Sequence, residues 1–400
     1  MGKLGQVFYK GATPVKVMAK PRVVVIGGGI TGAAVAYDLA QRGLGVVLLE
    51  RGSLGSGTSG RTHGLLHSGC RYIRDTEVAR ECYRENMVLR RIAPFLFEKN
   101  GGLFIAVTEE DLEYRDTFLE GCKRAGIPVK ELSPEEALRL EPGLNPSLKA
   151  AVAVPDGTFD PLKVILSFLA SAKRYGAEVR PYSEVVDILV EGGEARGVKV
   201  LDKTSLRSYV LEADFVVNAA GPWAGRVAAL AGVHVPVRPS PGVMVAFQGR
   251  LGNMVFNRMN PPSDGDIIIH QRGISVAGTT SWVVDDPDGV EAPRGHVDLI
   301  VRRAAEMAPR AAELPIRAVY VSSRPLVGEA RGTGRGVSRS FEVFDHEAEG
   351  VAGFASIAGG KFTTARLMAE KMGDLVAEKL GVEAASRTAE EPLTPYWLYF

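Results

Sequence analysis

Val23-Val24-Val25-Ile26-Gly27-Gly28-Gly29-Ile30-Thr31-Gly32 is the stretch that decides the fold class of this 400-residue chain. Its first four residues are a continuous β-branched run, too short for a helix and suited to a strand covered on both faces in a parallel sheet. The glycine turn follows at once. A helical stretch from Ala33 to Arg42 then closes at Gly43, and a second buried-strand run, Val46-Val47-Leu48-Leu49, ends in Glu50. Strand, turn, helix, strand and acid together make a compact βαβ unit with a phosphate-binding turn.

Each part has a physical task. Gly27 permits the tight turn, Gly29 lets backbone approach a pyrophosphate, and Gly32 lets the helix pack closely on the strand, while the exposed N–H groups at the helix start, through Ile30 and Thr31, receive phosphate oxygens. Glu50 at the tip of the second strand can accept both hydroxyls of an adenosine ribose, and its charge repels a 2′-phosphate. The bound nucleotide is therefore FAD or NAD rather than NADP. A lone GxGxxG is weak evidence, as the clustered glycines of Gly332-Thr333-Gly334-Arg335-Gly336 illustrate. The accompanying elements make the first motif strong.

The segment after Glu50 separates the two cofactors. Gly55 to Arg61 is small, polar and glycine-rich, and it runs into Thr62-His63-Gly64-Leu65-Leu66-His67-Ser68-Gly69-Cys70-Arg71-Tyr72. An NAD domain would proceed to another crossover helix, whereas a long polar loop suits a chain tracking an extended dinucleotide toward a flavin ring. A helix follows with Val78, Cys82, Leu89, Ile92 and Leu96 on one stripe. A further helix over Asp160 to Gly176, a hairpin-like region at Val185–Leu189 and Gly197–Leu201, and the run Phe215-Val216-Val217-Asn218-Ala219-Ala220-Gly221-Pro222-Trp223 bring later pieces of chain back to the phosphates. Gly353 to Thr364 is one more strand, glycine turn and helix start, an anion site suited to the pyrimidine end of a reduced flavin.

The expected fold is α/β with an α+β second domain. A discontinuous Rossmann-like FAD-binding domain takes residues 21–98, 154–235 and 320–382; a mixed-sheet substrate or cap domain takes 99–153 and 236–319. Residues 1–20 read as a disordered arm, or as an upstream start before a beginning near Met18, and 383–400 as a tail.

Composition narrows the function classes. At 46% hydrophobic and 24% charged, with 48 Lys plus Arg against 47 Asp plus Glu, the chain lacks the bulk positive field of a nucleic-acid or general membrane-surface binder. The three cysteines, Cys70, Cys82 and Cys122, form no CxxC pair for zinc or an iron–sulfur cluster and no disulfide framework, so no metal is expected. No run approaches the roughly 18 apolar residues of a membrane span. A reducing, cytoplasmic setting fits these features.

Taken together, the motifs resemble the FAD-dependent glycerol-3-phosphate dehydrogenase family, within the D-amino-acid-oxidase-like flavoproteins, and most closely the catalytic A subunit of the anaerobic enzyme. The resemblance is carried by Gly27–Gly32, Gly57–Arg61 through His67–Tyr72, Val154–Thr158, Val217–Gly221, Gly278-Thr279-Thr280, Arg324-Pro325-Leu326-Val327, Val337-Ser338-Arg339 and Gly359–Thr364. It covers nearly all of Arg22 to Gly381. On this reading the chain is expected to lack the cysteine-bearing carboxyl-terminal domain of that family member.

The resemblance implies oxidation of sn-glycerol 3-phosphate to dihydroxyacetone phosphate, with hydride transfer from C2 to N5 of a non-covalently held FAD. It places FAD against Gly27, Gly29, Ile30, Thr31, Gly32, Glu50, Arg51, Thr58, Ser59, His63, Gly64, Leu65, His67, Val185, Ala219, Ala220, Gly221, Trp223, Gly360, Lys361, Phe362 and Thr363. Arg71, Arg324, Arg339 and Lys361 match positions around the substrate, where a phosphate needs fixed cations and planar forks. For any one arginine a solvated surface position is the commoner fate. His67 is the first candidate for the base, with His63 and His270 weaker, and Arg324 completes the catalytic pair. The alternative for His67 is a structural one, fixing its loop or hydrogen-bonding the ring. Tyr72 orients substrate or packs in the core.

Competing readings are a flavoenzyme of the same group acting on an amino acid or 2-hydroxy acid, an NAD dehydrogenase, and a non-catalytic flavin-bearing scaffold. The electron acceptor is open among a membrane quinone reached from the inner face, oxygen and a partner subunit. The ending Pro395-Tyr396-Trp397-Leu398-Tyr399-Phe400 reads first as a tail packed on its own surface, and second as a docking element.

Overall fold

The computed structural model describes residues 21–328 and 340–400. Strand β1 (Arg22–Ile26), helix α1 (Ile30–Gln41) and strand β2 (Gly45–Leu49) form the opening unit, and Gly43 takes φ +92° just past the helix. The sheet around them has six strands in the order Phe341–Asp345, Phe354–Gly359, Phe215–Asn218, β1, β2, Glu178–Arg180. All neighbours are parallel except the outermost pair, Phe341–Asp345 with Phe354–Gly359.

The β-branched run is buried because both sheet faces are covered. Helix α1 packs with helices Pro161–Arg174 and Ala365–Lys379 over one face, through Val23, Val25, Phe168 and Met372. On the other face lie the antiparallel strands Ser183–Glu191, Glu194–Asp202 and Arg207–Glu212 with helix Ala224–Ala229, meeting Val24, Val47 and Val216. Each such fully buried valine or leucine contributes on the order of 1.5–3 kcal/mol. The expected helix after Asp160 begins at Pro161, with the Asp160 carboxylate accepting from the Leu162 N–H at 3.2 Å, an N-cap that satisfies an otherwise orphaned donor.

The second domain is built on an eight-stranded sheet in the order Ile316–Val327, Val237–Phe247, Ile274–Gly278, Ile267–Gln271, Val255–Arg258, Gly102–Ala106, Ala150–Val154, Lys130–Leu132. Its neighbours are antiparallel except Val255–Arg258 with Gly102–Ala106. Helices Arg294–Met307 and Pro134–Leu140 cover one face, and helix Arg115–Ala125 packs under part of the other. A small sheet of Leu65–Leu66, Gly157–Phe159 and Phe97–Glu98 lies at the junction.

This arrangement corrects one expected boundary. A division at 319/320 cuts through strand Ile316–Val327, which pairs along its length with Val237–Phe247, so the second domain extends through Val327. The division near 153/154 falls at the end of strand Ala150–Val154. The expected 1–20 arm lies outside the described residues.

The residues leading into the aromatic end pack on the body of the chain. Leu393 is buried, the Thr394 N–H donates to Ser171 Oγ at 2.8 Å, and Glu391 accepts from Gln41 and Tyr175. The aromatic end stays partly exposed, with Trp397 against Phe95 and Lys173 over the Phe400 ring.

Arg366 ties the long helix Thr76–Ile92 to Ala365–Lys379 and to the tail. Its guanidinium donates to both Glu85 oxygens, at 2.6 and 2.8 Å, and to Thr388 Oγ1 at 3.1 Å, in a pair of which only 4–5% is exposed. Glu85→Gln keeps the shape and removes the charge. We expect it to lower unfolding free energy by about 2 kcal/mol, the range of a buried charge-assisted bond, read as a lower denaturant midpoint at unchanged slope.

Candidate functional site

A cavity of about 860 Å³ runs between the two domains, from the β1–α1 turn and Glu50 at one end to His67, Tyr72, Arg324 and Lys361 at the other. The first end is built by close backbone approaches. Gly27 has φ +112°, and a Cβ there would stand 2.6 Å from the Ala219 carbonyl oxygen; a Cβ on Gly32 would stand 1.9 Å from the Gly27 oxygen. Gly29 faces the cavity. The Ile30 N–H donates to Ser59 Oγ at 3.0 Å, which sets a hydroxyl at the helix start.

Glu50 is held by backbone. One carboxylate oxygen accepts from the Gly28 N–H at 2.7 Å and the other from the Gly52 N–H at 2.8 Å, leaving further lone pairs of both on the cavity wall. A Gly-lined turn, a helix start with a hydroxyl and a fixed carboxylate at a strand tip are the donors and acceptors that pyrophosphate and ribose require. The length of the cavity beyond them suits an extended dinucleotide.

Most residues expected at the cofactor line this cavity. Gly27, Gly29, Ile30, Thr31, Glu50, Arg51, Thr58 and Ser59 do so at the nucleotide end and along the following loop. His63, Leu65, His67, Val185, Ala219, Ala220, Gly221 and Trp223 continue the wall, joined by Gly360, Lys361 and Phe362. Three others stand behind it. Gly32 packs on Gly27; Gly64 has φ +85° and is crowded by Phe159 and Gln271; Thr363 is buried, its Oγ1 accepting from the His67 N–H at 3.3 Å.

The His67 segment is pinned from behind. Asn86 Nδ2 donates to the carbonyls of His67 at 3.0 Å and Leu66 at 3.3 Å, so the loop keeps its path while its side chains face the cavity. Tyr72 Oη lies 3.4 Å from His67 Nε2, and the Lys361 ammonium sits over the Tyr72 ring at 4.8 Å. Arg324 rises from the second domain, its guanidinium anchored on the carbonyls of Ser240, Pro241 and Thr280 at 3.2, 3.0 and 2.9 Å. His67, Tyr72 and Lys361 thus stand in mutual contact on the cavity wall, and Arg324 lines the same cavity with its charge felt at His63, whose ring lies 6.3 Å from that of His67.

His63 is of a different kind. Burial, and then the Arg324 charge, push its imidazole down to about 4, so the ring is neutral at ordinary pH; its Nδ1 is buried without a hydrogen-bond partner among the described residues. It offers a fixed dipole to the cavity rather than a titrating base.

Two expected site residues are displaced from the wall. Arg71 is buried against the second domain, donating to its Asp266 carboxylate and to the Arg258 carbonyl at 2.8 Å, because a buried acid captures its charge. His270 is fully buried against Phe256, with Nδ1 on Ser275 Oγ at 2.8 Å, and burial pushes it down to about 3. Arg339 lies outside the described residues, as do Val337 and Ser338.

Sequence reasoning missed Ser56, Arg61, Arg226, Met244, Thr279, Val321–Ser323 and the loop Pro287–Val290, all of which line the cavity. The last carries the local turn signal Asp285-Asp286-Pro287-Asp288-Gly289, but nothing in that signal locates it. Cys70 and Cys122 face each other at 3.7 Å behind the Tyr72 turn, and Cys82, raised to about 12 by burial, is an inert core thiol.

Comparison with known proteins finds the family "DAO: FAD dependent oxidoreductase" matched over residues 22–375. The chain is 46% identical over 388 residues to the A1 subunit of the anaerobic glycerol-3-phosphate dehydrogenase of Haloferax volcanii, covering 93% of this chain and 66% of that one. It is 41% identical over 373 residues to the A subunit of the Escherichia coli anaerobic enzyme, covering 92% and 69%. The chain therefore spans about two thirds of the length of these relatives. Among solved structures it is similar, at TM-score 0.72 and 26% identity, to a glycerol-3-phosphate dehydrogenase from Bacillus halodurans complexed with FAD, over 94% of this chain and 68% of that one.

Proposed function

The chain belongs to the FAD-dependent oxidoreductase family, and from that premise we propose that it oxidises sn-glycerol 3-phosphate to dihydroxyacetone phosphate and passes the electrons to an acceptor outside this chain. FAD is the cofactor, and when bound it accepts the two electrons that leave the substrate's C2–H bond. The observation that carries the reading is the meeting of Arg324, Lys361, His67 and Tyr72 at one end of a dinucleotide cavity.

In this reading the protein's own groups divide the work. The Arg324 fork and the Lys361 ammonium hold the phosphate, whose near-double charge a single cation would balance poorly. Arg324 arrives oriented, since three carbonyls already fix its plane. His67 takes the proton from the C2 hydroxyl as the C2–H bond breaks, and Tyr72 holds the hydroxyl side of the substrate near His67 Nε2. The expected Arg71 contact is not part of this arrangement, its guanidinium being paired to Asp266.

Anaerobic mixing of the holoprotein with glycerol 3-phosphate tests the proposal. Bleaching of the flavin absorbance at a rate that saturates with substrate is the expected result. A holoprotein bleached by amino acids or 2-hydroxy acids, and not by glycerol 3-phosphate, would transfer the activity to the neighbouring class of substrates. Non-covalent FAD is expected to stay in the supernatant after acid precipitation. The relatives carry the names of subunits, and on that analogy we place the electron acceptor on the cytoplasmic side, in a partner chain of the same complex. Among the described residues no helix is long and apolar enough to cross a membrane.

A further inference from the structure

We propose that Asp288 is a positioning residue for the cofactor, tying a loop of the second domain across the Glu50 end of the FAD cavity and so limiting the release of FAD. The proposal rests on FAD as the occupant of that cavity.

The loop lies between strand Ile274–Gly278 and helix Arg294–Met307, with its base fixed by Val284 N–H to the Pro239 carbonyl at 3.1 Å. Its tip, Pro287 to Val290, reaches over to line the cavity beside residues of the FAD-binding domain. There the Asp288 carboxylate gathers three donors. One oxygen accepts from Arg51 at 2.9 Å and from Trp223 Nε1 at 3.0 Å; the other accepts from Arg226 at 2.8 Å. Arg51 follows Glu50 at the tip of β2, Trp223 ends the turn after Ala219-Ala220-Gly221, and Arg226 stands on the next helix. One side chain therefore joins three elements that all wall the same end of the site.

The pair it organises is itself ordered. The Arg51 guanidinium stacks over the Trp223 ring at 4.4 Å, and the carboxylate sets both groups from the edge. Asp286 adds a second bond to Arg226 at 2.6 Å and accepts the Asp288 N–H at 2.7 Å, which stiffens the tip. Asp288, Asp286, Arg51 and Arg226 balance in charge, so loss of the Asp288 charge leaves the two guanidiniums in excess. Side-chain exposures of 40–49% for Arg51, Asp288 and Arg226 put the junction in contact with salt, unlike the buried pairs elsewhere.

The consequence is a cofactor exchange rate set at a site remote from the His67 end. FAD cannot leave past the Glu50 end until the loop parts from Arg51, Trp223 and Arg226, and screening by salt weakens that hold. The experiment follows release of FAD from holoprotein by the rise in flavin fluorescence after dilution, for wild type, Asp288→Asn and Arg226→Gln. Release from the Asp288→Asn protein is expected to be about tenfold faster at low salt, as three partly exposed bonds of modest individual worth are lost together. Raising salt to about 1 M, where screening acts within about 3 Å, should bring wild type toward the variant while the variant changes little. Arg226→Gln should fall between them.

The thermal midpoint of the apoprotein separates positioning from a structural role, and it should be the same in all three. Release rates that match wild type, or that slow, overturn the proposal, as does a salt response identical in wild type and Asp288→Asn. A wild-type protein that neither carries FAD nor takes it up would instead remove the reading of the cavity beneath it.

Discussion

His67→Asn is expected to slow anaerobic flavin reduction by glycerol 3-phosphate by about 10²- to 10⁴-fold, the range a positioned general base supplies. The substitution is chosen because the loop is also held through its backbone. The His67 N–H is held by Thr363 and its carbonyl by Asn86, so the backbone should stay in place and FAD content should match wild type. Asparagine can still hydrogen-bond a hydroxyl but cannot accept its proton. His63 and His270 are unsuited to that role, since burial pushes them down to about 4 and about 3. A wild-type reduction rate across pH in the His67→Asn protein would leave His67 only its place in the loop, and would move the proton's destination to water or to Tyr72.

The parts of this molecule that were legible in its sequence are those whose signals are local. A buried β-branched run, a glycine turn and an acid at the next strand tip lie within Val23 to Glu50, and the structure closes them into one unit through the Glu50 bond to the Gly28 N–H. The strand at Phe215–Asn218 was legible for the same reason, small residues and glycine following an apolar run. What was not legible is set by distant partners. Arg71 and Arg324 look alike in sequence, yet Arg71 meets a buried carboxylate 195 positions away, while Arg324 is anchored on the carbonyls of Ser240, Pro241 and Thr280 and lines the cavity. The strand Ile316–Val327 likewise belongs to the second sheet because Val237–Phe247 lies beside it, a pairing that no periodicity within either strand specifies. The acidic loop at Asp286–Asp288 reads locally as a turn, and its role depends on Arg51 and Arg226 from the other domain.

Gly32→Ala is expected to produce a protein that purifies with little or no FAD, and it separates the glycines of the fingerprint by what each is for. An alanine Cβ at position 32 would lie 1.9 Å from the Gly27 carbonyl oxygen, far inside contact, and the obstacle is backbone rather than a flexible side-chain end. Either α1 moves off β1 or the turn at Gly27 opens. The turn has little freedom, since Gly27 is itself pressed against the Ala219 carbonyl at φ +112°. Overpacking of this kind costs about 1–3 kcal/mol, and because the displaced atoms are the helix start and the turn, we expect about 10²-fold weaker FAD binding, read by titration of the apoprotein. Gly29→Ala provides the contrast. Its Cβ would meet the Ser59 hydroxyl at 3.1 Å, a side-chain atom that needs to give by only a few tenths of an ångström and can keep its bond to the Ile30 N–H, so the fold should remain close to wild type in stability while the methyl group stands in the cavity where pyrophosphate must approach. Loss of FAD with a lowered apoprotein midpoint at position 32, and weakened FAD with an unchanged midpoint at position 29, is the pattern that assigns Gly32 to helix–strand packing and Gly29 to the ligand. Equal effects on stability at both positions would mean that Gly29 serves the fold as well, and that its place on the cavity wall is incidental to binding.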